Sequence, residues 1–210
     1  MKKLNKSARI KSAKAVAIAS MIMVTAWIAQ ANFQLVRNHS ESLPFSSVLI
    51  KKGKIPNKID QIFVFKVKNN PHYPNQEKQF IKLVGGFAGD PITTSKTEFV
   101  ANWSPFAIDE TDQGFYSFFR KVSEVIPEGK LEAMGIKLVE KQRVYVKGKM
   151  IGVAKTESLK GLPIAMIESG NIPPHKFFAY TPHKDSLDSR YQDLGLVDEK
   201  DIIGTAIATF

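Results

Sequence analysis

The stretch "AVAIASMIMVTAWIAQANF", residues 15–33, carries no charged residue. A helix of about 20 such residues spans the hydrocarbon core of a bilayer. Lys2, Lys3, Lys6, Arg9, Lys11 and Lys14 precede it with no acid among them. Basic residues before an apolar span hold that end in the cytoplasm, so the remainder is expected to face outward. Trp27 suits the outer interface, where an indole keeps its ring in lipid and its N–H in water. A cleavable secretory signal is the competing reading: a basic start, a short apolar run and a small-x-small site at Ala29-Gln30-Ala31. Ala15–Ala29 is short for a span, yet the retained anchor is the favoured reading. Either way, residues from about 35 onward are exported.

The charge distribution narrows the partners. The formal net charge is +10, and six of the basic residues responsible sit in the N-terminal tail. A nucleic-acid-binding protein concentrates charge on its folded domain, so no nucleic-acid partner is expected. The absence of cysteine removes disulfides, thiol catalysis and thiolate metal sites. His39, His72, His175 and His183 lack the i, i+4 spacing of a zinc helix, so no metal and no cofactor are expected. A Ser-His-Asp triad is defined by space and not by order and stays open, but no G-x-S-x-G elbow occurs. "GGFAGD" lacks the Lys-Ser or Lys-Thr ending of a phosphate loop.

The exported part reads as mostly β. A turn around Gly53 and Pro56 precedes a strand in which Phe63, Phe65 and Val67 alternate with Ile62, Val64 and Lys66. "QFIKLVGG" is a second strand, and "VEKQRVYVKGKMIGVA" a hairpin turning at Lys147-Gly148. "KFFAYTP" and "DIIGTAIATF" read as further strands. Phe115, Phe118, Phe119, Val122 and Val125 recur at helical spacing, with Arg120, Lys121 and Glu124 between them. The division expected is a cytoplasmic tail at 1–14, a transmembrane anchor or signal segment at 15–34, and a β-rich domain at 35–210 with a helix-bearing insertion at about 95–165.

Three short stretches remain: "HSESLPF" at 39–45, "FIKLVGGFAGD" at 80–90 and "DSLDSRY" at 185–191. In order, they resemble the type I signal peptidases, most closely the TraF-type peptidases of conjugative transfer systems. Ser42, followed by Leu43 and Pro44, matches that family's serine box after the membrane. Lys82 lies in an apolar strand eight residues before Asp90, the family's interval, and Gly89 precedes the aspartate. Ser186, Asp188, Ser189, Arg190 and Tyr191 reproduce the last box in full, and "DEKDIIGTA" continues as the family does. Departures are "YTPH" in place of a Gly-Asp-Asn-Arg run, Leu83 in place of a basic residue, Ala88 in place of proline, and a serine box one residue shorter than in housekeeping enzymes.

The resemblance implies a signal-peptidase-like catalytic domain behind one transmembrane helix, and a serine endopeptidase with Ser42 as nucleophile and Lys82 as base. It implies an oxyanion hole made of the Ser42 backbone N–H and the Ser40 hydroxyl. Ser186 would orient the lysine, and Asp188 and Arg190 would form an ion pair that stiffens the loop. Ser46 and Ser47 read as turn residues. A lysine acts as base only when neutral, and burial disfavours its ammonium; Phe80, Ile81, Leu83 and Val84 supply such a setting. The partners implied are inner-membrane lipid, contacts with a conjugation apparatus, and a membrane-tethered preprotein, the pilin precursor above all. That precursor would be cleaved, or closed into a ring by its own amino terminus. The location implied is the inner membrane, single pass, with the catalytic domain periplasmic. The alternatives are a general signal peptidase and a non-catalytic envelope scaffold on the same fold.

Overall fold

The computed structural model describes residues 6–101, 130, 137–158 and 161–210. Helix α1, Lys6–Asn32, runs through the uncharged stretch. Its segment Lys14–Asn32 is long and apolar enough to cross a membrane, and none of it is buried against the rest of the chain. It fits a single-pass membrane anchor. The first strand, β1 (Phe33–Arg37), starts without a linker, and Lys52 Nζ donates to the Gln30 carbonyl at 2.7 Å.

The other strands follow as β2 (Ser47–Lys52), β3 (Ile62–Val67), β4 (Lys78–Gly86), β5 (Pro91–Ala101), β6 (Lys137–Val146), β7 (Lys149–Lys155), β8 (Gly170–Asn171), β9 (Lys176–Tyr180), β10 (Val197–Asp198) and β11 (Ile202–Thr209). Among the described residues they form two antiparallel sheets, ordered β1-β2-β11-β3-β4-β9-β10 and β7-β6-β5-β8. The domain is mostly β, as expected. The expected hairpin turns at Lys147 and Gly148, which have φ of 51° and 77° and join Val146 to Lys149, the left-handed pair that a two-residue turn requires. The helical pattern at 115–125 lies outside the described residues. Residues 137–155 of the expected insertion form β6 and β7.

Strand β3 departs from simple alternation. Phe63 and Phe65 enter a core with Val84, Phe177, Ala179 and Ile202. Val64 is equally buried, in a second core with Val36, Leu43, Val48, Ile50 and Ile81. Both faces of the sheet are covered here, so the pattern becomes a continuous apolar run. A third core joins the two sheets: Ile92, Val144, Val146 and Ile151 pack on Phe178, Tyr180 and Tyr191. Strands β1, β2 and β5, and the two-residue strands β8 and β10, had no counterpart in the sequence reading. Ser47 begins β2 and is not a turn residue; its N–H and that of Ser46 donate to the Phe210 carbonyl at 3.1 and 2.7 Å, tying the chain's last residue to the mouth of the β1–β2 loop.

Candidate active site

Lys82 sits in β4, opposite Phe63 of β3. The lysine is only 6% exposed, and its Nζ donates to Ser186 Oγ at 2.5 Å. Burial lowers its pKa to about 8; the charge of Asp188 pulls it back up and that of Arg190 pushes it down. Those two side chains are themselves an ion pair, so their opposed effects leave desolvation dominant.

Ser186 is held by the loop after β9. Arg190 is 1% exposed and Asp188 is fully buried. Arg190 Nε and Nη2 donate to the two carboxylate oxygens at 2.8 and 2.9 Å. The guanidinium also donates to the carbonyls of Val153 at 3.0 Å, His183 at 2.9 Å and Ser186 at 3.3 Å. Asp188 further accepts the N–H groups of Thr181 and Arg190. Burial is the largest single influence and opposes the charged guanidinium, but the hydrogen bonds to Asp188 and the charge of its carboxylate, with smaller help from Tyr191 and Asp185, together hold the Arg190 pKa above its usual value. The remaining residues of "DSLDSRY" are equally committed. Asp185 pairs with Lys155 at 2.6 Å. Ser189 Oγ accepts from the Ala179 N–H and donates to the Gly195 carbonyl. Tyr191 packs in the core between the sheets. Gly152 lets the β7 backbone approach: a Cβ there would lie 2.8 Å from Arg190 Nη1.

Ser42 lies half-buried in the loop between β1 and β2. The loop is closed by the Asn38 N–H donating to the Ser46 carbonyl at 2.8 Å. Ser40 Oγ and Ser42 Oγ are 2.7 Å apart. Leu43, next to Ser42, packs in the same core as Ile81, next to Lys82. The expected site residues thus fall into three bonded pairs: Lys82 with Ser186, Asp188 with Arg190, and Ser40 with Ser42. No hydrogen bond joins Ser42 to Lys82; the serine is turned to Ser40 and the lysine to Ser186. Asn38 escaped the sequence reading although its side chain makes four hydrogen bonds in this loop, besides the one from its N–H. The signal was present in Asn38-x-Ser40, because asparagine side chains accept the backbone N–H two residues on. His72 and Asp193, bonded at 2.7 Å, were also not singled out as a pair. His72, Lys155, Ile164, Ser186 and Tyr191 help line a pocket of about 250 Å³ beside the lysine-bearing site.

Among the described residues, the half of β4 that carries Lys82 pairs on one edge only. Lys78–Leu83 align with β3, whereas pairing with β9 begins at Leu83. An open strand edge therefore runs beside a buried amine whose neutral form is accessible near neutral pH.

A buried lysine is bonded to a serine, and the hydroxyl-rich Ser42 loop shares a core with the lysine's neighbour Ile81, which brings an amine and several hydroxyls into one region of the fold. The family model for signal peptidase, peptidase S26, matches residues 9–210. The chain belongs to that family and is a serine endopeptidase of the signal-peptidase type. No curated protein matches it by sequence.

Proposed function

We propose that the chain is a membrane-anchored Ser/Lys endopeptidase in which Ser42 attacks and Lys82 is the general base. The observation that carries this reading is the burial of Lys82, with its pKa lowered to about 8. A free lysine at pH 7 is almost wholly charged and has no lone pair to offer. In the reaction, the substrate lies as an extended strand along the open edge of β4, the mode of recognition that an unpaired strand favours. Ser42 turns from Ser40 towards Lys82. Its proton passes to Lys82 Nζ as Oγ bonds the scissile carbonyl carbon. The Ser42 N–H and the Ser40 hydroxyl hold the oxyanion. Lys82 then gives its proton to the departing amine, leaving an ester on Ser42. Water attacks that ester, Lys82 taking and returning a proton once more. Ser186 keeps the amine aimed throughout, and Asp188 with Arg190 keeps Ser186 in place.

The anchor sets the substrate class. β1 starts where α1 ends, so the Ser42 loop stays near the surface of the membrane, on its periplasmic side in the inner-membrane reading. A precursor tethered in the same bilayer gains effective concentration. The departures from the housekeeping pattern, "YTPH" in place of the Gly-Asp-Asn-Arg run and the shorter serine box among them, support the conjugative branch of the family, which makes a pilin precursor the first substrate to examine.

Intact-mass analysis of that precursor in cells carrying the parent, Ser42→Ala or Lys82→Ala chain tests the proposal. Either substitution is expected to leave the precursor uncleaved. Cleavage that persists in both variants overturns the dyad, and unchanged transfer in both favours a scaffold. Loss of one further water from the product reports ring closure, and cleavage of unrelated preproteins reports a general signal peptidase.

A further inference from the structure

The geometry points to Asn38 as a positioning residue for the Ser40 hydroxyl and, through it, for the Ser42 nucleophile. This rests on the reading of Ser42 given above. The orientation of the Asn38 amide is fixed by its partners. Its Nδ2 faces the carbonyls of Leu43 at 3.2 Å and Phe45 at 2.9 Å, which only accept. Its Oδ1 faces the Ser40 backbone N–H at 3.1 Å, which only donates. No flipped amide satisfies these three groups. Oδ1 also lies 3.0 Å from Ser40 Oγ, so the single proton of the Ser40 hydroxyl goes to Asn38. The 2.7 Å contact between Ser40 Oγ and Ser42 Oγ then has one donor left, the Ser42 hydroxyl.

One amide therefore grips the loop on both sides of the nucleophile. It also fixes where Ser40 Oγ stands: beside Ser42, with its proton turned away. When the oxyanion forms, Ser40 swings that proton onto it. Asn38 Oδ1 is not orphaned by the swing, because it keeps the Ser40 N–H. The holder releases the hydroxyl without leaving an unsatisfied acceptor, which is the condition for a donor that is placed in advance and still free to act.

A double-mutant cycle tests this on the full chain in detergent, with the precursor cleaved by the parent as substrate. The variants are Asn38→Ala, Ser40→Ala, the pair together, and Ser42→Ala. Asn38→Ala is expected to lower kcat about tenfold or more with KM within about threefold, since a misplaced oxyanion donor is lost from the transition state and not from substrate binding. In the Ser40→Ala background the same change is expected to alter kcat by less than about threefold, because no hydroxyl remains to position. An equal loss in both backgrounds, or no loss in either, overturns the inference, because a plain loop scaffold would act regardless of Ser40. Should Asn38→Ala fail to fold by thermal melting, Asn38→Asp is read in the same two backgrounds. It keeps an acceptor for Ser40 but not the donors to Leu43 and Phe45, and it is expected to stay within about threefold of its own parent in each; a tenfold loss in either background overturns the inference, because the acceptor would then not be what Asn38 supplies. If the parent does not cut, or Ser42→Ala still cuts, the nucleophile itself is misassigned and this inference falls with it. An inert Ser42→Ala beside an indifferent Asn38→Ala sinks the inference alone.

Discussion

Replacing Lys82 by methionine is expected to abolish cleavage and to make the protein more stable at pH 7. The fold carries this lysine with its pKa lowered from 10.5 to about 8. At roughly 1.4 kcal/mol per pKa unit, that shift corresponds to about 3 kcal/mol against burying the ammonium. The direction with pH follows from the protons bound. Below about 8 both folded and unfolded chains hold the proton, and the whole penalty is present. Between about 8 and 10.5 the unfolded chain binds more protons than the folded one, so the stability of the parent rises with pH. Above 10.5 both forms are neutral and the penalty is gone. Methionine has similar length and no charge, but it forfeits the hydrogen bond to Ser186, worth about 1 kcal/mol. The net gain at pH 7 is then about 2 kcal/mol, a rise in Tm of roughly 4–8 °C for a chain of this size. Urea unfolding of the full chain in detergent, followed by circular dichroism at pH 7 and pH 11, reads the difference. The gain should vanish or reverse at the alkaline pH. A Lys82→Met chain that is less stable at pH 7, or whose advantage does not change with pH, refutes the claim that Lys82 is a desolvated amine.

The pH dependence of cleavage follows from the same group. kcat/KM is expected to climb about tenfold per unit below pH 8 and to level off above it, because only the neutral amine accepts the serine proton; a flat profile between pH 6 and 8 refutes the assignment. Arg190→Met strands the fully buried Asp188 carboxylate and is expected to destabilise by about 3–5 kcal/mol in denaturant unfolding. In whatever fraction still folds, the unbalanced Asp188 charge should move the activity profile to higher pH, since Asp188 raises and Arg190 lowers the Lys82 pKa. Gly152→Ala drives a methyl to 2.8 Å from Arg190 Nη1, whose other bonds leave it little room to yield; thermal melting should show a loss of about 1–3 kcal/mol.

Much of this was legible in the chain because local chemistry agreed with the final fold. The uncharged stretch before Phe33 became a helix, and Lys147-Gly148 became a tight turn, since each is dictated by a few neighbouring residues. The contact of Lys82 with Ser186 was expected from the resemblance of two distant boxes read together, whereas Asp188 and Arg190 sit in one box. What stayed hidden depends on distant partners. β1 and β2 carry buried Val36, Val48 and Ile50, but their strand character comes from pairing with each other and with β11, more than 150 residues on. Val64 looked like the solvent side of a half-buried strand until Leu43 and Ile81 covered it. The bonds of Asn38 are local, but those to the Leu43 and Phe45 carbonyls depend on how the loop closes, which the Asn38-x-Ser40 spacing alone does not specify.

The buried ion pair raises a question of design. A pair of apolar side chains at 188 and 190 would fill the same space and often stabilise a fold as well or better. Apolar residues would not, however, reach the carbonyls of Val153, His183 and Ser186, which Arg190 ties together from one guanidinium. Nor would a lone charge serve. An unpaired carboxylate beside Lys82 would favour its ammonium and so disarm the proposed base, and an unpaired guanidinium would be costly to bury. A closed pair resolves both demands: it fixes the loop that aims Ser186 with many directed bonds, and it contributes little net field at the amine. Lys82 is then left to respond to its burial, which is the condition under which a lysine works as a base near neutral pH.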